Sequence, residues 1–162
     1  MGSIGSKQTV ATLDPLRYQG LWWEVARTPF VYEEGCEMSS AIYSYNSSDD
    51  SILVTNTCYM KDGEQVTSIG KAIVPCKEYP GRLFVSFGET YPTLYDIKKG
   101  NYWVIYTDYD KFSVVTNPDE SLMWILSRSN MVSLNDVECI LIYVESMGYN
   151  TSKLTLNKRL IY

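Results

Sequence analysis

An all-β fold is what this sequence predicts: an eight-stranded antiparallel up-and-down barrel, with one C-terminal helix packed outside it and a short final strand. Three observations carry that expectation. Short runs of alternating hydrophobicity succeed one another along most of the chain, joined by compact turn sequences. The aromatic content is 14% and is dominated by fourteen tyrosines, a residue that favours pleated, half-buried surfaces. A single late segment switches to helical spacing.

The first run, "GLWWEVART", places Trp22 beside Trp23. On a strand, neighbours point to opposite faces, so one indole enters the barrel while the other meets the outer surface or a packed helix. "EMSSAIYSY" follows, closed by the turn-rich "NSSDDS", then "ILVTNTCYM". Asp62-Gly63 within "KDGE" joins this run to "QVTSIGKAIV" as a hairpin, since glycine accepts the positive φ such turns require. "RLFVSFG", a long loop through "ETYPTLYDIKKG", then "NYWVIYT", "KFSVVTN" and "LMWILSRS" complete an antiparallel meander, with "DYDK" and "PDES" as turns. Such a meander closes on itself to abolish its edges.

In "SLNDVECILIYVESMG", Leu134, Val137, Leu141 and Val144, with Ile140 beside them, share a helical stripe. Ser133 is the expected N-cap, Asp136 stands three residues on, and Gly148 is the C-terminal stop. "KLTLNKRL" is the final strand. The 162 residues suit one domain, expected over 13–162 behind a flexible leader, 1–12.

Composition narrows function. The net charge is −5 with scattered basic residues, which argues against a nucleic-acid partner. The chain has no histidine, which excludes imidazole-based metal centres and His-dependent catalytic dyads. Cys36, Cys58, Cys76 and Cys139 have no CxxC spacing, so no metal site is expected. No cofactor is implied. No apolar run is long enough to span a bilayer, and "MGSIGSKQTVATLD" lacks a secretory h-region. Free thiols and a cytoplasmic location are the matching expectations. Asn46 ("NSS") and Asn150 ("NTS") fit the glycosylation sequon, which matters only for an exported chain.

"GLW" (Gly20, Trp22), "YTDYDKFSVV" with Thr107-Asp108-Tyr109, and "WILSR" ending at Arg128 occur in order at the right strands. Together with the late helix they resemble the lipocalins over Leu13 to Leu160. "LWWEVART", "YEEGCEM" and "YWVIYTDY" are most similar to the group containing apolipoprotein D, bacterial lipocalins and plant temperature-induced lipocalins. The resemblance implies that Trp22 plugs the closed base with the Arg128 guanidinium across its indole. It implies that Arg128 donates to backbone carbonyls near the N-terminus, and that Thr107 and Asp108 tie a turn at the same end. These are structural roles.

The same resemblance sets an inward register. Glu24 and Ala26 are expected to share the face of Trp22. Tyr43, Val54, Asn56, Val85, Phe87, Tyr102, Val104 and Trp124 are the expected ligand-binding wall, and Cys58 also faces inward. This mostly apolar lining with a few polar tips suits an apolar ligand. Asn56 is singled out because a buried amide without a partner costs about 1–3 kcal/mol, so it should meet water or a ligand head group.

In secreted members, a cysteine at the Cys36 position is bonded to one in the C-terminal tail; here the tail after Cys139 has none, which resembles a protein kept reduced. "MGSIGS" fits the N-myristoylation pattern at Gly2, and equally fits a plain flexible leader. One acyl chain would give only weak membrane association.

The function implied is a non-enzymatic carrier or scavenger of a small hydrophobic ligand, such as a fatty acid, lysophospholipid or similar lipid. Two alternatives stand beside it. One is a thiol-dependent lipid isomerase using Cys58, for which no activating base is evident. The other is a protein-interaction module acting through the open-end loops, with "GETYPTLYDIKKG" as the candidate surface. Monomer and dimer are both left open.

Overall fold

Each alternating run becomes a strand in the computed structural model, which describes residues 8–29, 35–88 and 92–162. Gly2 lies outside the described residues. The strands are β1 (Gly20–Arg27), β2 (Cys36–Asn46), β3 (Ser51–Met60), β4 (Gln65–Ile73), β5 (Arg82–Ser86), β6 (Tyr102–Thr107), β7 (Phe112–Thr116) and β8 (Met123–Ser127). All pair antiparallel with their sequence neighbours, and β1 pairs with both β8 and β2, which closes the barrel. The Asp62-Gly63 turn joins β3 to β4, with Gly63 at φ +89°.

The paired tryptophans divide as strand alternation requires. Trp22 is fully buried inside the barrel with Ala41, Tyr43, Ile52, Val54, Leu83, Val104, Val115 and Leu126. Trp23 packs against a second core outside the wall, where Val25, Ile105, Phe112, Val114, Met123 and Ile125 meet α3 (Leu134–Ser146). That helix buries Val137, Ile140 and Val144, whose spacing makes one stripe, while Leu134, its first residue, stays exposed. The Ser133 hydroxyl accepts from Asp136 N at 3.1 Å, and Gly148, at φ +93°, follows the last turn.

Four features depart from the sequence expectation. First, Cys36 and Cys58 are not free thiols but a disulfide, with Cα atoms 5.3 Å apart; Cys76 and Cys139 are free. The Cys36–Met38 bulge in β2 sets the register that brings these neighbours together, and spacing alone does not reveal it. Second, β1 bulges between Glu24 and Ala26, so Ala26 turns to the outer core instead of sharing the face of Trp22. Third, the expected long loop contains α2 (Leu94–Lys99), started by a capping box in which Thr93 and Asp96 satisfy each other's backbone N–H groups. Six residues are too few to show periodicity. Fourth, β9 is only Thr155–Leu156, and it pairs with β1.

A single turn, α1 (Pro15–Tyr18), precedes the barrel, with Asp14 accepting from Leu16 N at 3.0 Å. It delivers Tyr18 into the closed end. Within the expected leader, Val10 N donates to Val104 O at 2.9 Å.

Candidate ligand site

The closed end is built around Trp22. Its indole N–H donates to Tyr18 O at 2.9 Å, and the Arg128 guanidinium carbon stands 3.7 Å from the ring centroid. Arg128 donates to Tyr109 O, Leu21 O and Arg17 O at 2.8–3.0 Å, and to Tyr18 O at 3.3 Å. Gly20 adopts φ +105°, and a Cβ there would meet Arg128 Nη1 at 3.2 Å. Asp108 accepts from Lys111 N and Phe112 N at 2.9 Å, while the Thr107 hydroxyl donates to Phe112 O and accepts from Tyr109 N. The turn is thus held rigidly, with Tyr109 at φ +65°.

Above Trp22 runs a line of hydroxyls. Ser113 Oγ, Tyr18 OH, Tyr102 OH and Tyr43 OH are linked in that order at 2.8, 2.9 and 2.8 Å. Removal from water pushes the Tyr18 phenol up to about 12, and lifts Tyr43 and Tyr102 well beyond the ordinary phenol range. All stay protonated near neutrality. The line therefore has one more proton than it has links, and offers a donor or an acceptor at its Tyr43 end according to its direction.

The eight expected wall residues separate into two levels. Tyr43, Val54 and Val104 are buried in the packed floor with Trp22 and Leu126. Val85, Tyr102 and Trp124 face inward yet are only half-buried, and Phe87 is 38% exposed with its ring lying over Gly70. Asn56 is exposed, not buried, so its amide is open to water. Cys58 has its sulfur in the bond to Cys36, which removes the thiol that an isomerase would need.

Sequence reasoning missed Arg27. The β1 bulge returns it to the interior side, opposite inward-facing Trp124, where it pairs with Glu24 at 3.3 Å. Nothing in the local sequence marks that bulge. Tyr18 and Ser113, the other end of the hydroxyl line, were missed because a loop tyrosine and a strand serine carry no signal of their own.

Near this ion pair the wall opens. β1 and β2 pair only from Gly20↔Tyr43 to Trp23↔Ser40, after which β1 pairs with β9 while β2 continues along β3. A cleft of about 640 Å³ lies at the divergence, its described lining including Glu24, Ala26, Arg27, Glu37, Ser39 and Asn157. Among the described residues, no group of histidine, cysteine, aspartate and glutamate side chains is placed to hold a metal ion.

Comparison with known proteins gives a consistent picture. A family model described as a lipocalin-like domain matches residues 13–159. The outer membrane lipoprotein Blc of Escherichia coli strain K12 is 33% identical over 89% of this chain and 78% of its own length. Temperature-induced lipocalin-1 of Arabidopsis thaliana is 31% identical over 91% of this chain and 80% of its own. Among solved structures, insecticyanin from the tobacco hornworm Manduca sexta superposes with a TM-score of 0.73 at 23% identity, covering 94% of this chain and 84% of that one, a likeness of fold. These findings also correct one expectation. A cytoplasmic location rested on free thiols and a missing secretory signal; the disulfide removes the first support, and the bacterial relatives are named as outer membrane lipoproteins.

Proposed function

Because this chain belongs to the lipocalin family, whose barrels bind small hydrophobic ligands, we propose that its cargo is a single-chain lipid, such as a fatty acid or lysophospholipid. Val85, Phe87, Tyr102 and Trp124 are the wall against which the acyl chain lies, and Asn56 is a polar group at its edge. Tyr43, Val54 and Val104 are the floor.

One observation supports this reading above the others. Aromatic and aliphatic side chains on the inner faces of β5, β6 and β8 point into the barrel but keep solvent contact. In a filled core, inward-facing apolar groups are buried, as Val104 and Val115 are here. Inward and wet together mean interior space with an apolar lining, and each methylene placed there contributes about 0.8 kcal/mol. The role is carriage and not catalysis, since the inward cysteine is bonded and the interior tyrosines are held protonated.

The test is a native mass spectrum of the protein with and without added palmitate, repeated after denaturation. A noncovalent adduct of palmitate mass that vanishes on denaturation is the expected result. The Tyr102→Ala/Trp124→Ala double variant should weaken that adduct at least tenfold. Unchanged affinity in a folded double variant would overturn the wall assignment, and no adduct with the wild type would overturn the lipid reading.

A further inference from the structure

The hairpin of β3 and β4 carries a strand edge that the barrel leaves open. β4 pairs with β3 from Gln65 to Ala72, but β5 takes up its other side only at Lys71, Ala72 and Ile73. Which backbone groups face that open side follows from the ladder. Met60 N donates to Glu64 O at 2.8 Å, which makes this a bonded pair, and bonded pairs recur at every second residue. Val66 and Ser68 therefore direct their N–H and C=O groups to β3, while Gln65, Thr67 and Ile69 turn theirs away from it. The same alternation holds one strand on: Val85, opposite Ala72, bonds the Asn101 side chain through both its N and its O, at 2.8 and 2.9 Å.

Gln65, Val66, Thr67, Ser68 and Ile69 are all exposed, and the outward backbone groups of Gln65, Thr67 and Ile69 meet no partner among the described residues. Sheet edges are ordinarily guarded by lysine, proline or a bulge that spoils further pairing. This stretch has none of them. It reads "QVTSI", without a charge or a proline, and its register with β3 is unbroken. Valine, threonine and isoleucine also favour the extended backbone. What covers such an edge must itself be a strand, because the edge presents a row of alternating donors and acceptors.

We propose that a second copy of this chain covers the edge, β4 lying antiparallel to β4 about a two-fold axis through the Val66 pair. Gln65 and the partner's Thr67 exchange both of their outward backbone hydrogen bonds, and the symmetry repeats the exchange. At the axis Val66, 49% exposed in the single chain, packs against the partner's Val66; such a non-bonded pair brings the Cα atoms to about 4.5 Å. Self-pairing also suits a chain whose net charge is −5. Glu64, the one ionised residue of the overlap, stands opposite the partner's Ser68, and the two Glu64 residues lie at opposite ends, about 14 Å apart along the strands. The register ends with the partner's Gly63 beside Ile69, short of Lys71, where β5 takes the edge. The chain itself supplies every one of these matches.

The experiment is sedimentation velocity on the full chain from about 5 to about 500 μM, since the Glu64–Ser68 overlap buries less than the roughly 1,200 Å² of a tight interface and gives a reversible dimer. The mass should rise from that of the monomer toward twice it. Over the same range, hydrogen exchange should slow at the Gln65 and Thr67 amides, with no matching change at Val66, whose N–H already bonds β3. Thr67→Pro deletes an N–H that β3 does not use, and Val66→Lys sets two ammonium groups side by side on the axis. Both variants should keep the circular dichroism of the monomer and stay monomeric at about 500 μM. A wild type that remains monomeric at that concentration would overturn the proposal. So would a dimer that either variant retains, or protection that appears elsewhere and not at Gln65 and Thr67, since both assign the contact to another surface. None of these outcomes bears on lipid carriage.

Discussion

Arg128 lies on the face of Trp22, its guanidinium carbon 3.7 Å from the ring centroid, while its nitrogens reach four backbone carbonyls. One side chain thus ties β8 to α1, to the start of β1 and to the β6–β7 turn. At this end Arg128 shares the closing of the barrel with Tyr18, whose ring centroid lies 5.3 Å from that of Trp22.

Arg128→Ala should therefore destabilise the protein by about 3 kcal/mol, combining lost charge-assisted hydrogen bonds with a lost cation–π contact. Arg128→Lys should recover little of it, because an ammonium lacks the planar fork that meets several carbonyls at once. Urea denaturation checks both. If lysine restores full stability, charge alone is what the site needs and the stacking account is wrong.

Stability should fall on the alkaline side. Tyr18 is raised from 10.0 to about 12 by burial, with Tyr43 and Tyr102 raised further. Between pH 10 and 12 the unfolded chain has lost protons that the folded chain retains. Raising the pH through that window therefore favours unfolding, by about 1.4 kcal/mol per pH unit for each such tyrosine. Below pH 10 this contribution is constant. Urea midpoints at pH 8, 10 and 11 should be flat and then drop, and a phenolate absorbance titration should show these three tyrosines ionising only as the barrel opens. A flat midpoint through pH 11 would contradict the buried hydroxyl line.

The disulfide predicts both a chemistry and a stability. Without reductant, alkylation should modify Cys76 and Cys139 only; after reduction in denaturant, all four cysteines should react. Cys36 and Cys58 are 22 residues apart, so in the loop-entropy account opening the bond costs about 3 kcal/mol. A Cys36→Ser/Cys58→Ser variant should show that loss in urea. Four reactive thiols in the unreduced native protein would refute the pairing.

What could be read in advance, and what could not, follows the range of the signals. The Trp22–Trp23 pair, the Asp62-Gly63 turn and the Ser133 cap act over a few residues and are written locally. Alternation within each strand says which side chains face inward, but not which of them border empty space, since that depends on what lies across the barrel. Val54 and Val104 pack into the floor while Phe87 and Trp124 stay wet, although all four follow the same pattern. The two bulges are the harder case. One brings Cys36 beside Cys58, and the other exchanges Ala26 for Arg27 on the interior face. A single extra residue inverts everything beyond it, and no residue type at Glu24–Ala26 announces it.

Gly70 makes a final, sharper test of the interior. A Cβ at this position would lie 2.7 Å from the Phe87 ring and 2.8 Å from Ser86 O, closer than atoms approach. Gly70→Ala should cost roughly 1–3 kcal/mol through overpacking. The ring can be removed but the neighbouring strand's carbonyl cannot. In the Gly70→Ala/Phe87→Ala double variant, the total should therefore fall short of the sum of the two singles by about 1 kcal/mol, leaving the remainder from Ser86 O. Strictly additive effects in a double-mutant cycle would mean that Phe87 does not lie over Gly70 in solution, and the upper wall of the cavity would have to be redrawn.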